Sequence, residues 1–386
     1  MVQFLSLSSS AAVFFLLSLG VNNVAGAATN NCVVSASGSD DTSAITEAFK
    51  KCASGGTVTF SKGSTYNIKD TVTIEGLKNV NINFAGTLNL PARSSSFKNG
   101  DHYIQIKGEN VNMYGGGTIN GNGQAWYDAE DHTAPTVLRF ALTDSKVSGI
   151  KIVNAPRAHL GVTNCENFVL DNITLKTAST SSKLAKNTDA LDVSSSSGIV
   201  FQNSELTVGD DCLAINGGVT NITLSKITCN GGHGFSVGSL GKGGKSETVK
   251  TVRIRDSVCN NCQNGVRIKT WPGGKGAVSD VEYSNIKLNN VDNPILITTH
   301  YCDQNQQSYC NGNDGSSLSI SDVTISDVTG SVSSAGNPVF SVNCSKNTPC
   351  TGFSVSGVDI TKSSKTKSNV CTNLSGSDKI SLCSSS

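Results

Sequence analysis

The chain has 386 residues, enough for one large domain or two ordinary ones, with a net charge of +1 and only 15% charged side chains. Its 39 glycines, abundant Ser, Thr and Asn, and scarce runs of Ala, Leu, Glu and Lys favour β structure over a helical fold. The balanced charge and the lack of a basic stripe argue against a nucleic-acid partner, so an acidic ligand would have to be met by local cations.

Residues 1–27 contain no charged side chain. They hold an apolar run from Ala11 to Leu19 and then Ala25-Gly26-Ala27, which suits a small-residue cleavage site. The run is too short to span a bilayer, so the segment is read as a secretory signal. The expected mature protein is residues 28–386, extracellular, with no membrane anchor because no later segment is long and apolar enough. The lack of a Pro/Ser-rich linker predicts one domain and, with no oligomerisation signal, a monomer.

From Asp41 to Cys52 the spacing of Ile45, Ala48, Phe49 and Cys52 predicts a helix with one apolar stripe, capped by Asp40 or Asp41. It is expected to plug the open end of the strands downstream. There, short alternating segments recur: Gly149–Asn154, Asn167–Asn172, Gly198–Asn203, Asn221–Lys226, Thr251–Asp256, Asp280–Asn285 and Ser317–Asp322. Each places apolar residues two apart beside Asn or Asp. That loose periodicity predicts an all-β parallel β-helix with an N-terminal capping helix. Propeller blades would repeat more evenly and carry an aromatic signature.

Thirteen cysteines agree with an oxidising compartment. Short intervals suggest the pairs Cys32–Cys52, Cys212–Cys229, Cys302–Cys310, Cys344–Cys350 and Cys371–Cys383, leaving Cys165, Cys259 and Cys262. Cys259-Asn-Asn-Cys262 has the form of half a zinc site, but no second half lies at ligand spacing, so a structural role is favoured. Asn172, Asn221, Asn343 and Asn373 each open a glycosylation sequon.

The chemistry concentrates in four clusters. Asp189 ends Asn187-Thr188-Asp189, Asp211 ends Asp210-Asp211, and His233 stands between Gly232 and Gly234. Asp189, Asp211 and His233 are evenly spaced along the chain, and Arg267-Ile268-Lys269 follows after a longer interval. In stacked coils, residues one repeat apart fall side by side, so these groups would meet in one patch. Taken singly, each cluster reads as a turn, a solvated loop or a strand edge. Their order and spacing argue otherwise. Three crowded carboxylates cannot all ionise, so at least one should hold its proton and serve as a general acid while the others activate water. That is the equipment of an inverting glycosidase. His233 would tune the acid, Gly209 would permit the bend that turns both Asp210 and Asp211 to one cleft, and Arg267 and Lys269 would grip a sugar carboxylate.

These four clusters resemble the signature motifs of polygalacturonases, glycoside hydrolase family 28. Asp41-Thr-Ser-Ala-Ile45 resembles the family's N-terminal helix and Gly115 to Trp126 its glycine-rich coil. The last two cysteine pairs resemble those of its fungal branch. The resemblance implies a right-handed parallel β-helix that hydrolyses α-1,4 bonds of polygalacturonate with inversion and without a metal or other cofactor. It implies Asp210 as general acid, Asp189 and Asp211 as activators of water, and His233 as support. Arg267, Lys269, Tyr301 and Asn187 would be substrate-side residues. Thr298-Thr-His300 before Tyr301 departs from the Gln or Asp that many relatives carry there, which bears on the sugar contacts and brings His300 in as a candidate. Asn264 to Thr270 resembles endo-acting fungal members, so endo action is expected, with exo action as the alternative. An exo enzyme needs loops that close one end of the cleft; Lys183–Lys186, Lys242–Lys245 and Cys302–Cys310 are the candidates. A calcium-dependent pectate lyase, a rhamnogalacturonan hydrolase and a non-catalytic pectin-binding solenoid are the rivals.

Overall fold

The structure, a computed structural model, describes residues 30–310 and 315–384; the expected signal segment lies outside the described residues. Every ladder between its strands is parallel, and strands pair with those one coil before and one coil after. Consecutive parallel crossovers of this kind wind right-handed, because a right-twisted strand packs back onto its sheet only that way. The result is the expected right-handed parallel β-helix.

One sheet carries the site. Along it Phe140, Val162, Val193, Ile215, Val237, Ile268, Ile297 and Val342 stand in one inward row, all fully buried. Mostly β-branched side chains stacked at the coil spacing of about 4.8 Å fill the interior. Their neighbours Gly161, Asp192, Ala214, Ser236 and Arg267 form the outward row, since successive side chains alternate faces.

A second inward row, Phe168, Ile199, Ile222, Val252, Val281 and Val323, contains the recurring segments seen in the sequence. Both ends of that series need correction. Gly149–Asn154 leaves the row because Gly149, at φ +70°, turns the chain, and the strand partner of Asn167–Asn172 is Thr143–Ser148. At the other end Asp280–Asn285 pairs with the stretch ending at Asp327, one segment later than Ser317–Asp322.

Asn and Asp at the corners do two things. Asn172, Asn203 and Asn285 adopt φ of 55°, 52° and 51°, which these short polar residues tolerate better than most. Others bond from coil to coil, as in the ladder Asn154–Asn120–Asn89–Asn67, at 3.2, 3.4 and 3.0 Å.

Helix α1, Thr42–Lys51, buries Ile45, Ala48 and Phe49 at the N-terminal end, with Phe49 stacked obliquely on Phe60. Asp40 accepts the first helical N–H, from Thr42, at 3.0 Å. Asp41 instead ties the entry to the first coil, accepting from the Ser37 and Asn67 amides at 2.6 and 2.8 Å. All five expected cysteine pairs are bonded, and so are Cys259 and Cys262. Cys259 stands in register with Cys229, so two disulfides lie stacked in the core and no thiolate is left there for zinc. Cys165 is a buried free thiol, its pKa pushed up to about 11 by burial. Among the described residues no helix is long and apolar enough to cross a membrane.

Candidate active site

The even intervals seen in the sequence are true coil steps: Asp192 pairs with Ala214 and Leu213 with Phe235, which sets Asp189, Asp211 and His233 on successive coils. The next step ends short of Arg267, since it is Ser236, and not His233, that pairs with Arg267. Asn264 is therefore the neighbour of His233, donating to its carbonyl at 3.1 Å, and Arg267 stands beside Ser236.

Asp210 and Asp211 sit in a bend before the strand Leu213–Ile215, which brings both carboxylates close to the His233 ring. Gly209 has a different role from the one expected. A Cβ there would lie 2.2 Å from the Ala185 carbonyl oxygen, so glycine is required by close approach of two coils. Its amide donates to Thr188 Oγ1 at 2.9 Å, and that buried hydroxyl donates to the Ala185 carbonyl at 2.7 Å, locking the Asn187–Asp189 turn to the Asp210 turn. Gly234 follows the same logic with added need: its φ is +89°, and a Cβ there would lie 2.1 Å from the Asn264 carbonyl oxygen.

The polar contacts divide the aspartates. His233 Nδ1 lies 2.9 Å from Asp210 Oδ1, and Asn187 Nδ2 reaches the other oxygen at 3.5 Å. Asp211 is buried and receives Lys269 Nζ at 2.6 Å, Ser236 Oγ at 2.9 Å and Arg267 Nη1 at 3.5 Å. Both cations expected to grip a sugar carboxylate thus hold the Asp211 carboxylate in this structure. They also face Tyr301, whose ring centre is 5.7 Å from the Arg267 guanidinium and 5.4 Å from Lys269 Nζ. Tyr301 packs edge-on against Trp271 at 5.0 Å. His300 lies one residue before it, with its amide donating to Thr298 Oγ1 at 3.0 Å.

Electrostatics distribute the proton in a way the motifs alone do not suggest. Burial raises Asp189 well above the usual carboxylate range, and the charges of Asp192, Asp210 and Asp211 add to the effect. Asp210 is moved the other way. Burial pushes it up, but the His233 hydrogen bond, the His233 charge and Lys269 outweigh that and leave it lowered. The raised group is therefore not the one the resemblance assigns as acid, because the His233 hydrogen bond falls on Asp210.

Two residues were missed. Asp192, outward on the strand Leu191–Ser194, is a fourth carboxylate of the cluster, raised to about 7 by burial against the opposing pull of Arg157. Its place between Leu191 and Val193, on the strand that Asp189 leads into, was the available signal. His159 is fully buried under the site, where its Nδ1 contacts the Asp189 carbonyl at 2.8 Å and its Nε2 contacts Thr177 Oγ1 at 2.8 Å. Burial lowers it to about 4, so it is a neutral brace for the Asp189 turn.

Asp210, Asp211 and His233 have ligand atoms within 4.8 Å of one another, a spacing that could suit a metal ion. Two fixed positive charges already lie against Asp211 and oppose a cation there. Around the cleft, the segment carrying Lys183 is strapped to the short helix α2, Gln124–Asp128: the Thr180 amide donates to Gln124 at 2.9 Å, Ser181 Oγ to Asp128 at 2.7 Å, and Lys183 pairs with Glu130 at 2.5 Å. On the other side Lys242 stands 4.7 Å above the Tyr309 ring, joining the second and third candidate loops.

Comparison with known proteins agrees with this geometry. The model of glycosyl hydrolases family 28 matches residues 51–383. The chain is 62% identical to exopolygalacturonase rpg13 and 58% identical to exopolygalacturonase rpg15, both of Rhizopus delemar, over the full length of each chain. It is 35% identical to an exopolygalacturonase of Cochliobolus carbonum, covering 92% of this chain and 86% of that one. Among solved structures it resembles the endo-xylogalacturonan hydrolase of Aspergillus tubingensis with a TM-score of 0.80 at 27% identity, covering 90% of this chain and 96% of the other.

Proposed function

The chain belongs to glycosyl hydrolases family 28, and from that membership we propose that it is a secreted exopolygalacturonase, an inverting hydrolase that releases galacturonic acid from the end of de-esterified pectin chains. The observation that carries the reading is the cluster of Asp189, Asp210 and Asp211, electrostatically coupled to one another, with Lys269 and Arg267 bonded to Asp211. The endo expectation drawn from the Asn264–Thr270 stretch gives way. Full-length relatives at 62% and 58% identity carry exopolygalacturonase names, and the Lys183 segment, strapped to α2, is our candidate for the wall that exo action requires.

In the proposed mechanism the proton rests on Asp189 while the cleft is empty, and Asp210 is ionised against His233. An incoming galacturonate carboxylate shares the charge of Lys269 and Arg267. Turnover then requires that proton to pass from Asp189 to Asp210, the carboxylate held by His233. One transfer makes both catalysts: Asp210 becomes the acid that protonates the leaving glycosidic oxygen, and Asp189 becomes the base that takes a proton from the attacking water. Asp211, held by Lys269 and Arg267, orients that water. Asn187 holds Asp210 in place, and Tyr301 offers a ring face to the sugar beside the cations.

The test is early-time chromatography of products from de-esterified polygalacturonate at mildly acidic pH with EDTA present. Galacturonic acid alone is the expected product. A spread of oligomers would restore the endo reading. Unsaturated products, or loss of activity in EDTA, would point to a calcium-dependent lyase. No cleavage at all would leave a pectin-binding solenoid.

A further inference from the structure

On the N-terminal side of the aspartates the same outward row continues from Asp192 through Gly161 to Arg139. Gly161 leaves a notch there: a Cβ at that position would stand 3.5 Å from Arg139 Cγ and 3.6 Å from Thr136 Cγ2. Arg157 enters the same coil just before the strand Leu160–Thr163, and His102 pairs with Thr136 on the coil before. Arg139 Nη1 contacts His102 Nε2. A guanidinium only donates, so His102 Nε2 accepts and Nδ1 carries the hydrogen. Burial and the adjacent Arg139 lower His102 to about 4, with Arg157 adding to the effect, which keeps the ring neutral in mild acid.

Three buried N–H groups in this cluster, His102 Nδ1, Arg139 Nε and Arg157 Nε, have no hydrogen-bond acceptor among the described residues. No carboxylate of those residues pairs with either arginine at ion-pair distance. Such donors are costly to leave without acceptors. An orphaned Nε alone is not diagnostic, since Arg255 on another sheet has one too. What distinguishes this place is that two arginines and a histidine gather beside a glycine notch in the groove that holds the aspartates. Arg267, on the opposite side of those aspartates, shares the feature. Asp192 feels the charge of Arg157, and at about 7 it is protonated in mildly acidic medium and does not repel an anion.

We infer that Arg139 and Arg157, with His102, form a second carboxylate-binding pocket, which takes the carboxylate of the galacturonate ring on the N-terminal side of the scissile bond while Arg267 and Lys269 serve the ring on the other side. This rests on the polygalacturonase reading. An acceptor-only planar group meets all three donors at once, and two guanidinium forks suit it better than a neutral sugar hydroxyl. The enzyme would then read a carboxylate on both flanking rings and discriminate against neutral or esterified units at either.

The test uses the purified full-length enzyme and three dimers: digalacturonate, and its two derivatives in which one ring's carboxyl is reduced to a primary alcohol. Arg157→Gln should lower kcat/KM on digalacturonate about 10- to 100-fold, with Arg157→Lys recovering part of the loss. That loss should disappear with only one of the two reduced dimers, the one lacking the carboxylate this pocket binds. Arg139→Gln, checked for an unchanged melting temperature, should show the same dependence. Loss of equal size on all three dimers, or no loss, would overturn the pocket while leaving the polygalacturonase reading intact. A wild-type enzyme that cuts neither the dimers nor the polymer would overturn that reading and the pocket together.

Discussion

Burial and neighbouring charge give three aspartates of one cluster different proton affinities. Asp210 is drawn down by His233, whereas Asp189 and Asp192 are left raised, and Lys269 and Arg267 are bonded to the fourth, Asp211. Asp210→Asn should lower kcat about 10²- to 10⁴-fold, measured as reducing-end release, with substrate binding retained; a near-normal rate would remove Asp210 from the acid role. Asp192 makes a separate prediction about stability. Its pKa is about 7 in the folded protein and 3.8 as an unperturbed group. Between those values only the folded state keeps the proton, so stability from this group is complete at low pH, declines as pH climbs past the lower value and is lost as pH rises through the higher one. Asp192→Asn should therefore flatten the fall in stability between pH 5 and pH 8, by roughly 1–4 kcal/mol in unfolding free energy, followed by denaturant titration at each pH. An unchanged pH profile would show that Asp192 is ionised throughout.

At the scale of elements, the alternating pattern of the strands was legible because one face of each is buried, and the motif order was legible because its residues are chemically conspicuous. What stayed hidden depended on another coil. Gly209 reads as a bend residue, yet it is the Ala185 carbonyl 2.2 Å from its missing Cβ that demands glycine. Cys259 and Cys262 read as leftovers, and only the register with Cys229 reveals them as part of a stacked pair of disulfides. The Lys183 segment shows its meaning through α2, far earlier in the chain. Removing Ser179–Lys183 should shift early products from galacturonic acid toward oligomers, followed by chromatography. The Lys183–Glu130 pair is exposed and contributes little to folding, so the melting temperature should move little. Products that remain purely monomeric would place the closing wall elsewhere.

At the scale of the whole molecule, the amino-acid sequence by itself determined the solenoid, the even coil step that carries Asp189 to Asp211 and His233, and the chemical class of the site. Inward β-branched rows and positive-φ Asn corners are local properties that a linear pattern displays. Only the tertiary structure decided which carboxylates are raised and which lowered, which coil each cation occupies, and that Arg139, Arg157 and His102 gather beside Gly161. Those outcomes depend on desolvation and on distances between coils. Coil lengths vary along this chain: Ile199 pairs with Ile222, whereas Val281 pairs with Val323 across nearly twice that stretch of sequence. Residue spacing alone therefore cannot say which side chains become neighbours.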